Sequence, residues 1–186
     1  MNIFFVRHGE TELNRLKKYY GITDVPLNLT GINQMKSLAI KLKKYKFDRI
    51  IVSGLQRTAL SANVIINQNN IQNIKIETID NYNERNFGTW EKLDADEIEL
   101  LYPEVWKSFV NNPLNTNPLD AESYEDFQDR VNKEFIHLIN SVNESDNILF
   151  IGHGGVIREI ISSFFEKDIE YWDIKIESGM IYTYSI

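Results

Sequence analysis

The sequence predicts an α/β protein: a three-layer α/β/α sandwich with a mostly parallel central sheet. It reads as a single domain over residues 1–186, with a small lid inserted at about 88–123. Three observations carry this. Short runs dense in Ile, Val, Leu and Phe, at Asn2–Val6, Asp48–Val52 and Asn147–Ile151, have the length and continuity of buried strands. Between them lie stretches with apolar residues at steps of three and four, as in helices with one buried face. Each run also ends in a polar, glycine-bearing segment: Arg7-His8-Gly9, Ser53-Gly54 and Gly152-His153-Gly154-Gly155. Parallel sheets bind ligands at such carboxyl ends.

The elements follow in order. After the first strand a loop runs through Gly21 and Pro26. Thr30 is placed to cap a helix whose buried face is Ile32, Met35, Leu38, Ala39 and Leu42. The second strand leads into a helix from Leu55 to about Ile66, with a polar loop at Asn67–Asn70. Ile74, Ile76 and Thr78 mark a third strand. The stretch from Gly88 to Ser123 holds Pro103, Pro113 and Pro118 and only short helical pieces, Glu97–Leu101 and Glu104–Val110, so it reads as the lid. From Ser123 a longer helix shows Tyr124, Phe127, Val131, Phe135, Leu138 and Val142 at helical steps. The strand Asn147–Ile151 is followed by a helix over Val156–Phe165, and Ile181–Tyr184 forms a last strand at an edge, where it could pair across a homodimer.

Composition narrows the function. A net charge of −7 argues against nucleic-acid binding, which needs a basic face, but not against a small phosphorylated metabolite held by a few converging arginines. With no cysteine there is no disulfide, thiolate metal site or cysteine nucleophile. No apolar run is long enough for a membrane span, and Met1–Phe5 reads as a strand rather than a signal peptide, so a cytoplasmic location is expected.

Two of the three histidines, His8 and His153, stand at strand ends beside glycines, where a ligand can meet main-chain N–H groups. His137 lies on the long helix and carries no expected role. Helically spaced zinc ligands, a Gly-x-Ser-x-Gly nucleophile elbow, a phosphate-binding P-loop and a dinucleotide fingerprint are all absent, so neither metal nor cofactor is expected.

Five blocks in order resemble the histidine phosphatase superfamily, which includes the cofactor-dependent phosphoglycerate mutases. They are Arg7-His8-Gly9-Glu10-Thr11 with Asn14, Gly21 to Leu27 with Gly31, Ser53 to Ala59, Asn83 to Glu91, and Gly152 to Arg158. The resemblance implies that His8 is the nucleophile, carrying a phosphohistidine, and that Arg7 and Arg57 clamp the phosphoryl oxygens. Asn14 and His153 would add hydrogen bonds, and Glu84 would serve as general acid and then base. It also marks Tyr20, Gly21 and Gly154 as substrate-binding positions. Three positions depart from the family pattern: Lys92 follows Trp90-Glu91 where glycine is usual, Ala121 precedes Glu122-Ser123 where glycine is usual, and Leu13 precedes Asn14 where tryptophan is usual.

The segment Tyr171–Gly179, with Tyr19-Tyr20-Gly21, is similar to α-ribazole-5′-phosphate phosphatases, enzymes of cobalamin assembly. That resemblance implies hydrolysis of α-ribazole 5′-phosphate. Alternatives are a broad-specificity phosphomonoesterase, a phosphoglycerate mutase and an inactive binding protein of the same fold. Between Asn86 and Glu125 nine acidic residues outnumber the basic pair Lys92 and Lys107, so the lid is expected to disfavour substrates with several negative charges. Its aromatics, Trp90, Tyr102, Trp106 and Phe109, are expected to pack the lid itself.

Overall fold

The computed structural model describes residues 1–186. Five strands, β1 (Asn2–Arg7), β2 (Arg49–Val52), β3 (Lys75–Thr78), β4 (Asn147–Gly152) and β5 (Ile181–Ser185), form one sheet in the order β3-β2-β4-β1-β5. The first four are parallel, and β5 runs antiparallel to β1 at the edge. Seven α-helices complete the chain: α1 (Glu12–Arg15), α2 (Leu29–Leu42), α3 (Gln56–Asn69), α4 (Ala95–Leu101), α5 (Pro103–Asn111), α6 (Tyr124–Asn140) and α7 (Gly154–Phe164).

The alternation of side chains along each strand sorts the core into two layers. Ile3 and Phe5 of β1, with Ile148 and Phe150 of β4, face α6 and α7 and meet Val131, Phe135, Ile157 and Ile160. Phe4 and Val6, with Leu149 and Ile151, face α2 and α3 and meet Met35, Leu38, Ala62 and Ile65. Both faces are dry, which is why these strands read as continuous apolar runs. The expected sandwich is the one observed.

Several boundaries moved, each for a local reason. Asn28, not Thr30, caps α2: its side chain accepts from Gly31 N at 2.8 Å, so the helix starts before Thr30. The expected polar loop 67–70 is mostly helix; α3 continues to Asn69, whose amide donates to Ala39 O, and stops where Asn70 adopts a left-handed conformation at φ 49°. α4 starts at Ala95 because Asp94 and Glu97 form a reciprocal capping box, and α7 starts at Gly154, directly after His153. α4 and α5 lie within the expected lid. α5 turns Trp106, Phe109 and Val110 toward a cavity at the carboxyl ends of the strands.

Candidate active site

Sheet register brings the two histidines together. Arg7 pairs with Gly152 across β1 and β4, and His8 N donates to Gly152 O at 2.9 Å. The His8 and His153 rings lie 5.2 Å apart. His8 is 3% exposed, and its Nδ1 is 2.8 Å from Gly9 O. A carbonyl only accepts, so Nδ1 carries the proton and Nε2 keeps its lone pair. Burial, then the Arg57 and Arg7 charges, hold the imidazole pKa well below its usual value. His8 is thus a neutral imidazole with a free nitrogen.

His153 is fully buried and also held neutral, chiefly by burial and Arg57. Arg57 Nε donates to its Nδ1 at 3.2 Å, so the proton sits on Nε2, which donates to Ser53 Oγ at 2.8 Å. Arg57 is 1% exposed and meets no carboxylate. It donates instead to Thr23 O at 3.0 Å and Gly21 O at 2.6 Å, and its guanidinium lies 4.8 Å from the Tyr20 ring centroid. A buried guanidinium keeps its charge, and one without a carboxylate is set up for an anion from outside. Arg7 donates to Ile176 O at 2.9 Å but leaves Nε buried without a partner. Such an orphan donor calls for a ligand.

Asn14 is oriented by its oxygen. Oδ1 accepts from Thr11 N at 3.1 Å and Tyr20 OH at 2.8 Å, which leaves the amide NH₂ available. Glu84 accepts from Gly155 N at 2.9 Å and Arg85 N at 3.0 Å. Gly155 permits that approach, since a Cβ there would come within 2.4 Å of Glu84 Oε1. Arg130 donates to Asn81 O and Asn83 O and pairs with Glu122, fixing the loop that carries Glu84.

These groups border a cavity of about 720 Å³. Arg7, Asn14, Tyr20, Glu84 and Gly154 line it, while His8, Arg57 and His153 are buried against those residues. Gly21 does not line it; it serves through the carbonyl that holds Arg57, and a Cβ there would strike Arg85 O. His137 is exposed on α6, away from the lining.

Two expectations are corrected. None of the nine acidic residues between Asn86 and Glu125 lines the cavity. Asp94 and Glu97 are spent on Lys18 and the start of α4, and Glu122 on Arg130. Glu91 accepts main-chain N–H groups from Gly21, Ile22, Thr23 and Phe87. The charged lining is instead Arg7, Lys17, Lys18, Arg85 and Arg158 against Glu84 alone. The lid aromatics also divide: Trp90 is fully buried, whereas Trp106 and Phe109 line the cavity. By sequence alone Glu91 and Glu122 count as lid charge; in the fold both act as struts.

The chain resembles well-described proteins over nearly its whole length. The adenosylcobalamin/α-ribazole phosphatase of Salmonella typhimurium is 29% identical over 181 residues, covering 96% of this chain and 87% of that one. The 2,3-bisphosphoglycerate-dependent phosphoglycerate mutase of Cytophaga hutchinsonii is 27% identical over 187 residues, covering 98% and 87%. The crystal structure of the α-ribazole phosphatase from Shigella flexneri superposes with a TM-score of 0.88 at 26% identity, covering 98% of this chain and 89% of that one. Residues 3–186 match the family description as a whole, and the chain belongs to the histidine phosphatase superfamily, branch 1.

Proposed function

We propose that this chain is a phosphomonoesterase that hydrolyses α-ribazole 5′-phosphate to α-ribazole and phosphate through a phosphohistidine on His8. The observation that carries the chemistry is the His8 tautomer: the bond from Nδ1 to Gly9 O frees Nε2 beside two guanidinium groups. Nε2 attacks phosphorus in line, the ester P–O bond breaks, and Glu84 gives its proton to the departing oxygen. Arg7, Arg57 and the Asn14 amide hold the equatorial oxygens as charge develops. His153 accepts from Arg57 Nε and so holds that guanidinium in place. Water then attacks the phosphohistidine, with Glu84 taking back a proton, and phosphate leaves.

The substrate reading is supported by the relatives named as α-ribazole phosphatases and by the cavity beyond the phosphate end. Tyr19, Phe87, Trp106 and Phe109 make an aromatic wall there, suited to a flat base. The basic lining favours a second reading, a mutase or phosphatase acting on phosphorylated acids, since it accommodates a further negative charge. A net charge of −7 agrees with a small phosphorylated metabolite rather than a nucleic acid.

The test is a Glu84→Gln enzyme given labelled α-ribazole 5′-phosphate. Acid-labile, alkali-stable label should accumulate at His8; a chain that turns over substrate and never carries label would defeat the covalent route. A panel of α-ribazole 5′-phosphate, 3-phosphoglycerate with bisphosphoglycerate, and p-nitrophenyl phosphate ranks the substrates. Mutase turnover exceeding phosphate release would replace the first reading with the second.

A further inference from the structure

Arg158 stands on α7, four residues after Gly154 and three after Gly155, and lines the same cavity. Residues at those spacings share a helix face, so Arg158 sits about one turn, ~5 Å, along the cavity from the phosphate end. Its guanidinium is held from several sides. Nε donates to Ile174 O at 3.0 Å, and the Tyr171 and Trp172 rings lie 5.4 and 5.2 Å from it. Neither terminal amino group meets a carboxylate or a carbonyl, and no ion pair involves this residue. Burial pushes the Tyr171 hydroxyl above the usual phenol range, so this neighbour is neutral and no counter-charge.

A purely structural arginine would pin the segment 171–176 through its Nε–H. That bond and the approach of the neutral Tyr171 hydroxyl to the guanidinium leave the planar fork without a counter-charge and with donors to spare. An immobilised fork is matched by a pair of adjacent oxygen atoms.

We infer that Arg158, braced by Tyr171 and Trp172, forms a second subsite for two adjacent oxygen atoms a few bonds beyond the phosphorus. On the substrate proposed above, on whose reading this inference rests, those oxygens are the ribosyl hydroxyls. A carboxylate at the same reach presents the same chemistry. Arg85 strengthens the local field: it also lines the cavity, with its Nε on Glu122 O and its guanidinium 6.0 Å from the Tyr124 ring centroid.

The experiment uses paired substrates on the wild type, Arg158→Gln and Arg158→Lys. One pair is α-ribazole 5′-phosphate and its 2′,3′-dideoxy counterpart; the other is phosphoserine and phosphoethanolamine. Inhibition by inorganic phosphate reports on folding and on the phosphate end. The Gln variant should raise KM for the oxygen-bearing member of a pair by ~10- to 100-fold, with kcat changed far less, because the contact is made in the ground state as well. The other member should lose at least tenfold less. Arg158→Lys should restore only part of the difference, because an ammonium lacks the fork. Discrimination in the first pair identifies hydroxyls, and in the second a carboxylate. Equal losses within both pairs, or none in either, would overturn the subsite. If α-ribazole 5′-phosphate is not hydrolysed while the serine pair discriminates, the proposed substrate falls and the subsite stands.

Discussion

Glu91→Gln should weaken both the fold and the phosphate site, though Glu91 does not line the cavity. Its Oε1 accepts from Gly21 N at 2.8 Å, Phe87 N at 3.0 Å and Ile22 N at 3.3 Å, and its Oε2 from Thr23 N at 3.1 Å. The carbonyls of the same two residues, Gly21 and Thr23, hold Arg57. Glutamine keeps one oxygen, so at least one N–H meets an NH₂ donor instead of an acceptor, and the remaining bonds lose their ionic partner. Breaking one bond to a charged acceptor costs ~1.5–3 kcal/mol, and with the remaining bonds weakened the loss should fall in the upper part of that range, about 2–3 kcal/mol. For a chain of this size that is a fall of roughly 4–12 °C in Tm. Loosening the two carbonyls leaves Arg57 less preorganised, so inorganic phosphate should inhibit about tenfold less tightly. Thermal unfolding followed by circular dichroism, with phosphate Ki in the same buffer, reads both effects. A Tm within about 1 °C of wild type would refute the strut. A lowered Tm with unchanged Ki would sever the link from Glu91 to Arg57.

Lys92 holds φ at 71°, at the position where the family usually has glycine. Lys92→Gly removes a left-handed penalty of ~1–2 kcal/mol against a glycine entropy cost of ~0.5–1, so denaturant titration should show a gain of about 0.5–1 kcal/mol. A loss of stability would count against the strain. Gly155→Ala should displace the Glu84 carboxylate and lower kcat by ~100-fold with little change in Tm, as misplacement of a reacting group by about an ångström does; unchanged kcat removes Glu84 from the chemistry. The pH dependence of folding follows from the two depressed histidines. The unfolded chain takes up protons below its usual histidine pKa of ~6.5 while the folded site does not, so stability falls as pH drops through that value. Between pH ~7 and ~5.5 the loss is about 1.3 kcal/mol per histidine, or ~2.5 for both. A His8→Gln chain should lose about half as much over that interval by urea unfolding, and an identical loss would show that His8 is not buried neutral.

The three central strands, β1, β2 and β4, were legible because they are short and doubly buried: Phe4 and Phe5 face opposite layers, and no surface pattern confuses them. His8, Arg57, Glu84 and His153 stand out in the sequence as motif residues at strand ends and loops; in the fold Glu84 lines the cavity and the other three are buried beside it. Helix starts were less legible, because capping is decided by single side chains. Asn28 and Thr30 are both competent caps, and only the placement of Gly31 N selects Asn28. The support of the site was hidden for a different reason. Glu91 and Arg130 act on backbone N–H and C=O groups many residues away, and Glu122 holds Arg130, links that no side-chain pattern in the sequence announces.

The charge of the cavity shows what sequence counting leaves out. A window with nine acidic and two basic residues reads as negative, yet a charge acts on a ligand only if its side chain reaches the ligand and is not already engaged. Four of the nine, Glu91, Asp94, Glu97 and Glu122, are consumed in holding loops, a helix start and two cations. The basic groups arrive from elsewhere in the chain, as Arg7 does from β1 and Arg158 from α7. Arg7 and Arg158 spend donors on carbonyls rather than carboxylates, as Arg57 does buried beside the lining, so the positive charge at the cavity stays uncompensated. A protein of net charge −7 can therefore present a positive pocket to a phosphomonoester. The same arithmetic makes the affinity for inorganic phosphate depend little on net charge and strongly on those carbonyl contacts. Neutralising the exposed acids Asp96 and Glu99 together should leave the phosphate Ki within about twofold, because both are screened by solvent. A change of an order of magnitude would show that the lid acids reach the cavity after all.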